Sequence, residues 1–179
     1  VLKKLLIGLL VLTALGAAYV ATRPAAYHVE RSVTINAPAD VVWANVSDFN
    51  QWHAWNPWQK SDLAQTVTIA GAKGSPGHSS AWDGEKTGKG IMTVLKADAP
   101  SQLTIKLEFE VPMESVAMTQ FAFSPKGIGV KVTWSMDGEN DFVGKAFDVL
   151  MDVENMIGKS YDSGLSNLKS IAEAKAKEQ

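Results

Sequence analysis

The 179-residue chain contains no cysteine. Disulfide frameworks, thiolate zinc sites, iron–sulfur clusters and cysteine nucleophiles are therefore excluded. Histidine is nearly as scarce. His28, His53 and His78 lie far apart, and none has the i, i+4 spacing of a helical metal pair. No metal and no cofactor is expected. Charge of one sign is also missing, because 17 basic residues stand against 19 acidic ones for a net −2. At about 150 residues per domain, the length allows one domain plus a little. The 46% apolar and 20% charged residues are near the globular average, so wholesale disorder is not expected.

What is present is unevenly distributed. Leu5 to Ala21 is a run of 17 residues without charge. As a helix it measures about 26 Å, the short end of what crosses a bilayer. Lys3 and Lys4 precede it and Arg23-Pro24 follows. The positive-inside rule places the N-terminus in the cytoplasm and the rest outside a bacterial-type cytoplasmic membrane, crossed once. Gly16-Ala17-Ala18 has the form of a signal-cleavage site, so a cleaved secretory signal competes with an uncleaved anchor. The continuation through Tyr19, Val20 and Ala21 favours the anchor.

The chain is therefore expected to divide into an anchor or signal, residues 1–23, and one domain, residues 24–179. Lys3, Lys4 and Arg23 are three of the 17 basic residues, so the domain keeps 14 against all 19 acidic ones, a balance of −5. Without a basic stripe it is a poor binder of nucleic acid. It also has no polybasic patch for anionic lipid headgroups.

The domain reads as strand, helix, several strands, long helix. Tyr27–Ile35 alternates, with Val29, Val33 and Ile35 on one face. Asn36-Ala37-Pro38 ends that strand and starts a helix to about Ser47, with Asn36 as its expected N-cap. A short second helix restarts at Asp48 or Asn50 and closes at Asn56-Pro57. Strands are predicted at Thr66–Ala70, His78–Trp82, Lys89–Lys96, Leu103–Val111, Glu114–Ser124 and Val130–Met136. Their short connections argue for an antiparallel meander. From Phe142 to about Lys175 the period becomes helical. Val143, Phe147, Leu150, Ile157, Tyr161, Leu165 and Leu168 share one stripe. The spacing predicts one long helix, with Gly158 or Gly164 as places for a bend.

Three patterns approach known chemistry and fail. Gly77-His78-Ser79-Ser80-Ala81 lacks the last glycine of a nucleophile elbow and is followed by a turn-rich strand sequence, not a helix. Gly88-Lys89-Gly90 lacks the glycine and hydroxyl residue of a phosphate loop. Asn45-Val46-Ser47 has the form of a glycosylation sequon but lies inside a helix.

The succession Glu30-Arg31-Ser32-Val33-Thr34-Ile35-Asn36-Ala37-Pro38, then Val41, Trp43, Val46 and Asp48, then Trp52 and Trp55-Asn56-Pro57-Trp58, carries a resemblance. So do Gly88 and Gly90, Val132-Thr133-Trp134 before Gly138, and Gly164-Leu165 before Leu168-Lys169. Over about Tyr27 to Glu173 the chain resembles the START-like (SRPBCC) superfamily. More narrowly it resembles the polyketide cyclase/dehydrase and lipid-transport family, whose similar members often carry an N-terminal membrane segment. The resemblance implies an α+β helix-grip fold: a seven-stranded curved antiparallel sheet around a long C-terminal helix, with a hydrophobic tunnel between them. The superfamily includes lipid carriers, hormone receptors, cyclases and chaperone cofactors, so fold alone does not choose a function.

The candidate ligand-binding residues are mostly aromatic. Trp43, Trp52, Trp55 and Trp58 fall within sixteen positions, either packing over the sheet or rimming an apolar site. Trp82, Phe109, Phe121 and Trp134 join them from the strands, and His53 lies between two of the tryptophans. Glu154 falls within the apolar arc of the last helix, where it either reaches the edge or anchors a ligand from inside. Tyr161 shares that face and offers a hydroxyl. No second carboxylate, histidine or lysine shares it, so no catalytic pair is assigned.

The leading expectation is a membrane-tethered module that binds a hydrophobic small molecule or lipid. The alternatives are a cyclase- or dehydratase-type enzyme on an apolar substrate and a ligand-free envelope interaction module. The sequence leaves the oligomeric state open.

Overall fold

A computed structural model describes residues 1–178. The apolar run lies within helix α1, Leu2–Thr22, none of whose residues is buried. It is long and apolar enough to cross a membrane. Strand β1, Ala26–Ile35, follows after three residues. Helix α2 is Ala39–Ser47, and a 3-10 turn at Phe49–Gln51 leads to α3, Trp52–Trp55. Helix α4 is Pro57–Ser61. The remaining strands are β2 (Thr66–Ala70), β3 (Ser79–Gly84), β4 (Gly88–Asp98), β5 (Gln102–Val111), β6 (Ser115–Lys126) and β7 (Gly129–Glu139). Helices α5, Phe142–Met151, and α6, Val153–Lys177, complete the fold.

All seven strands form one antiparallel sheet in the order β1-β7-β6-β5-β4-β3-β2. The meander from β2 to β7 is the one the sequence predicts, and β1 pairs with the last strand. Helices α2 to α4 carry the chain from one edge of the sheet to the other. Helix α6 lies across β1 and β7. Its inner face is Gly158, Tyr161, Gly164, Leu165, Leu168 and Ala172. The inward alternation of β1 places Val29 and Ile35 against this layer, both fully buried. The result is the helix-grip arrangement that the resemblance implies.

Polar clamps hold the helical layer in place. Lys169 Nζ donates to the Thr34 carbonyl at 2.7 Å, and Lys175 Nζ donates to Asn45 Oδ1 at 2.8 Å. Asn45 itself is buried, and its carbonyl accepts from the Trp55 indole N–H. A buried asparagine in a helix is no place for a glycan.

Three local expectations are corrected. The N-cap of α2 is Pro38, not Asn36, whose backbone N–H instead donates to Glu173 Oε1 at 2.8 Å. Asn56-Pro57 closes α3 but also opens α4, with Pro57 in its first turn and the Asn56 side chain accepting from Trp58 N–H.

The third correction concerns the C-terminal helix, which is two helices. Asp152 separates them in the left-handed region, at φ 50° and ψ 55°. Aspartate tolerates that conformation better than most residues. The two glycines are contact points, not bends. A Cβ at Gly164 would sit 2.9 Å from the Trp134 ring, and one at Gly158 would meet the Arg31 guanidinium. Their absence of side chain lets α6 press onto the sheet.

Candidate functional site

The space gripped between sheet and helix is filled at its centre by aromatic rings. Trp134 stacks on Phe121 (4.8 Å between centroids, 27°) and on Tyr161 (3.9 Å, 11°). Trp52, Trp55 and Trp58 meet Trp134 edge-on. The polar tips are satisfied locally, as buried groups require. Trp52 Nε1 donates to the Val46 carbonyl, and Trp134 Nε1 donates to Thr119 Oγ1 at 2.9 Å. Thr119 Oγ1 donates in turn to the Ser135 carbonyl and lies 3.4 Å from the Tyr161 hydroxyl. Burial pushes the pKa of that hydroxyl well above the usual phenol value, so Tyr161 stays protonated at neutral pH.

Two openings flank this packed centre. The larger, about 620 Å³, is an open groove on the outer surface between α4 and the first turns of α6. Trp58, Met151 and Met156 line it together with Asp152, Asn155 and Lys159. The smaller, about 240 Å³, enters the space between sheet and helices. Tyr27 of β1, Phe109 of β5, Met136 of β7 and Val153 and Ile157 of α6 form its walls. Asp148 and Glu154 also line it, and Met113 comes from the β5–β6 connection. Size favours the first opening. Shape and chemistry favour the second, because it is the one bounded by the apolar inner faces of both layers.

The tertiary structure sorts the candidate residues into four settings. Phe109 and Glu154 line the inner cleft, and Glu154 is exposed at its mouth, in the first turn of α6. Trp58 lines the outer groove. Trp52, Trp55, Phe121, Trp134 and Tyr161 are core. Trp43 packs on Phe123, Trp82 packs on Phe109, and His53 is exposed with its Nδ1–H donating to the Asn50 carbonyl. Tyr27, Met113, Met136, Asp148, Val153 and Ile157 also line the cleft and are not among the ligand-binding candidates of the sequence. Alternation along β1 and β7 already points Tyr27 and Met136 inward. No local signal says at which end of the sheet the packing stops.

The ionisable groups that line the cleft are Tyr27, Asp148 and Glu154. Burial raises the Tyr27 phenol above its usual pKa, and the nearby Asp137 charge adds to this. Tyr27 is thus a hydrogen-bond donor at neutral pH. Behind it, on the outer face, His28 Nδ1 lies 2.6 Å from Asp137 Oδ1. That hydrogen bond holds the imidazolium above its ordinary pKa. A raised histidine pKa stabilises the fold fully below the unfolded value, about 6.5, and the contribution fades as pH rises through the folded value. Both side chains are more than half exposed, so the effect is small. Asp137→Asn should lower the melting temperature at about pH 5.5 and make no difference by about pH 9. A gap that stays constant across that range would rule the pair out.

The nucleophile-elbow likeness ends here. Ser79 begins β3, no helix follows, and His78 is buried, with Nε2 accepting from Phe49 N–H and Nδ1 facing the Ala70 carbonyl. Among the described residues, no group of three histidine, aspartate or glutamate side chains is arranged to hold a metal.

Comparison with known proteins agrees with the geometry. Residues 26–173 match the family model described as polyketide cyclase / dehydrase and lipid transport. A Bacillus halodurans protein superposes with a TM-score of 0.61 at 16% identity, covering 84% of this chain and 100% of that one. A Chromobacterium violaceum protein gives 0.60 at 14% identity, covering 82% and 96%. The Aha1 dimer of Colwellia psychrerythraea also gives 0.60 at 14% identity, covering 82% and 96%. At these identities the likeness shows the fold alone. No curated protein matches at a significant level.

Proposed function

This chain belongs to the polyketide cyclase/dehydrase and lipid-transport family, and on that premise we propose that it is a membrane-tethered module holding one apolar small molecule or lipid segment in the inner cleft. The observation that carries the reading is the cleft itself. Its walls come from the inner faces of β1, β5, β7 and α6, and the few polar groups that line it include Asp148, Glu154 and the Tyr27 hydroxyl. This is the usual division of labour in a small-molecule site, apolar walls for affinity and a few polar groups for orientation.

Volume limits the occupant. At roughly 30 Å³ for a water-sized group, 240 Å³ holds about eight such groups. That fits a short acyl segment or a fused ring pair, not a whole phospholipid. The tether is α1, and Lys3 and Lys4 in its first turn support an extracytoplasmic body.

The test uses residues 24–179, because α1 contributes nothing to the buried core. Native mass spectrometry of the purified body should show adducts of the mass of a medium-chain fatty acid or a small fused-ring compound that extract into organic solvent. No adduct, together with no uptake of added medium-chain fatty acid, would sink the reading.

One observation favours a second reading. The carboxylates of Asp148 and Glu154 and the hydroxyl of Tyr27 line the same cleft. An enzyme of cyclase or dehydratase type could use such a set for proton transfer. Recovery of a chemically altered compound after incubation would favour it over simple binding.

A further inference from the structure

Helix α5 is inside out. Lys145 and Asp148 lie on one side and Val143, Phe147, Leu150 and Met151 on the other, with Phe142 and Val149 at the border beside Lys145. A helix on the surface of a water-soluble domain turns the apolar side inward. Here Lys145 and Asp148 are half-buried, together with the small residues Gly144 and Ala146, and Asp148 lines the inner cleft. Phe147 is 49% exposed, Met151 60% and Leu150 80%.

The place of α5 in the fold explains the inversion. Helix α5 packs beside α1. The one partly shielded residue of α1 is Val20, near its C-terminal end. Tyr19, with the Arg23 guanidinium over its ring, marks that end with the aromatic and cationic pair typical of a membrane–water boundary. Only three residues separate α1 from β1, and Asn140 N–H donates to the Ala25 carbonyl at 2.8 Å. The chain is thus pinned at its exit from α1, two residues before α5 begins.

Strand register brings a second apolar edge to the same end. Tyr27 pairs with Gly138, and Gly138 pairs with Ala117, so the start of β1 and the β5–β6 connection lie at the same end of the sheet. Val111, Met113 and Val116 there are 51%, 40% and 53% exposed. Met113 and Asp148 line the cleft together, so the connection and α5 frame one opening.

We propose that α5 and the β5–β6 connection lie in the interfacial layer of the bilayer that α1 crosses, so that the inner cleft opens onto the membrane and not onto bulk water. The occupant of this surface is the lipid interface itself. This end carries Glu110, ion-paired with Lys89, together with Glu114, Asp148 and Glu154, and beside them Lys145 of α5; among the described residues these form no basic cluster, so neutral lipid suffices. Apolar insertion beside a tether needs no electrostatic attraction. The proposal rests on the tether and cleft readings above, and it supplies the route by which an apolar ligand reaches the cleft.

The test uses the full chain reconstituted in phosphatidylcholine vesicles. The native absence of cysteine permits single labels without further change. Nitroxides at Leu10→Cys, Met113→Cys, Phe147→Cys and Leu150→Cys are compared with one at Ile128→Cys, which is 91% exposed at the opposite end of β7. Collision with oxygen, which concentrates in lipid, is measured against collision with an aqueous nickel complex. Positions 10, 113, 147 and 150 should favour oxygen several-fold over position 128. Aqueous behaviour at 147 and 150 with a lipid signal at 10 overturns the docking and leaves the tether. An aqueous signal at 10 overturns both. Broadening at 147 that vanishes on dilution with unlabelled chain would mean that a second copy covers α5, and would also overturn it. Ligand adducts on the isolated body are read separately, so failure of the docking is distinguishable from failure of the cleft.

Discussion

Trp134→Ala is expected to cost about 3–5 kcal/mol of folding stability, the range for truncating a fully buried aromatic. Trp134 is 2% exposed and stands between Phe121 and Tyr161 as the middle of a three-ring stack. Gly164 lacks a side chain because the Trp134 ring is there, so α6 packs directly on it. Alanine would open a cavity touching the sheet, α3, α4 and α6 at once. It would also strip Thr119 of the indole donor that now reaches its Oγ1.

A domain of this size holds only about 5–15 kcal/mol in total. At about 2–4 °C per kcal/mol, the melting temperature should fall by roughly 6–20 °C. Trp134→Phe keeps a ring in the stack and should cost much less. Thermal and urea denaturation of residues 24–179 provide the measurement. A Trp134→Ala loss below about 1 kcal/mol would mean that the stack is not what holds the helical layer to the sheet.

Ile157→Trp should abolish most ligand binding while leaving the fold in place. Ile157 is half-buried on α6 and forms a wall of the inner cleft. An indole there would fill space that the aromatic core leaves open. Because the cleft is open at its mouth, the larger ring has room to settle, and the stability change should stay within about 1.5 kcal/mol. Affinity for a medium-chain fatty acid should fall at least about tenfold, equivalent to about 1.4 kcal/mol.

Met156→Trp is the matched comparison. Met156 is 53% exposed and lines the outer groove one residue away. That substitution should leave affinity unchanged. The opposite pattern, loss with Met156→Trp and none with Ile157→Trp, would move the site to the larger groove. Calorimetric titration of the two variants decides between the openings.

These predictions depend on side chains that the sequence placed with unequal success. Alternation over Tyr27–Ile35 and Leu103–Val111 predicts the strands nearly to the residue, because a half-buried strand has an unambiguous period. The same logic puts Trp134 and Phe121 on inward faces. It does not show that they stack, since the β6–β7 register that sets Phe121 opposite Trp134 is a pairing between strands. The cluster of tryptophans was legible as a packing group or as a rim. Only the fold separates Trp52 and Trp55, in the core, from Trp58, beside the outer groove.

The last helices show where periodicity stops being informative. Val143, Phe147 and Leu150 keep the same stripe as Ile157, Leu165 and Leu168, so the pattern reads as one helix with one buried face. A hydrophobic stripe records that a face avoids water. It does not record what covers that face. Left-handed Asp152 divides the segment, and after it the stripe faces the sheet while before it the stripe faces outward.

From the sequence alone came the separate apolar segment, the antiparallel meander followed by helix, and the lack of reactive cysteine or clustered histidine. These are matters of local period, composition and charge, which short stretches of chain carry by themselves. The tertiary structure alone decided that aromatic rings close the centre of the grip, that the inner cleft lies at the end of the sheet nearest α1, and that the apolar side of α5 faces away from the domain. Each of those depends on strand register and helix docking, contacts between residues far apart in the chain, and no local pattern encodes which surfaces will meet.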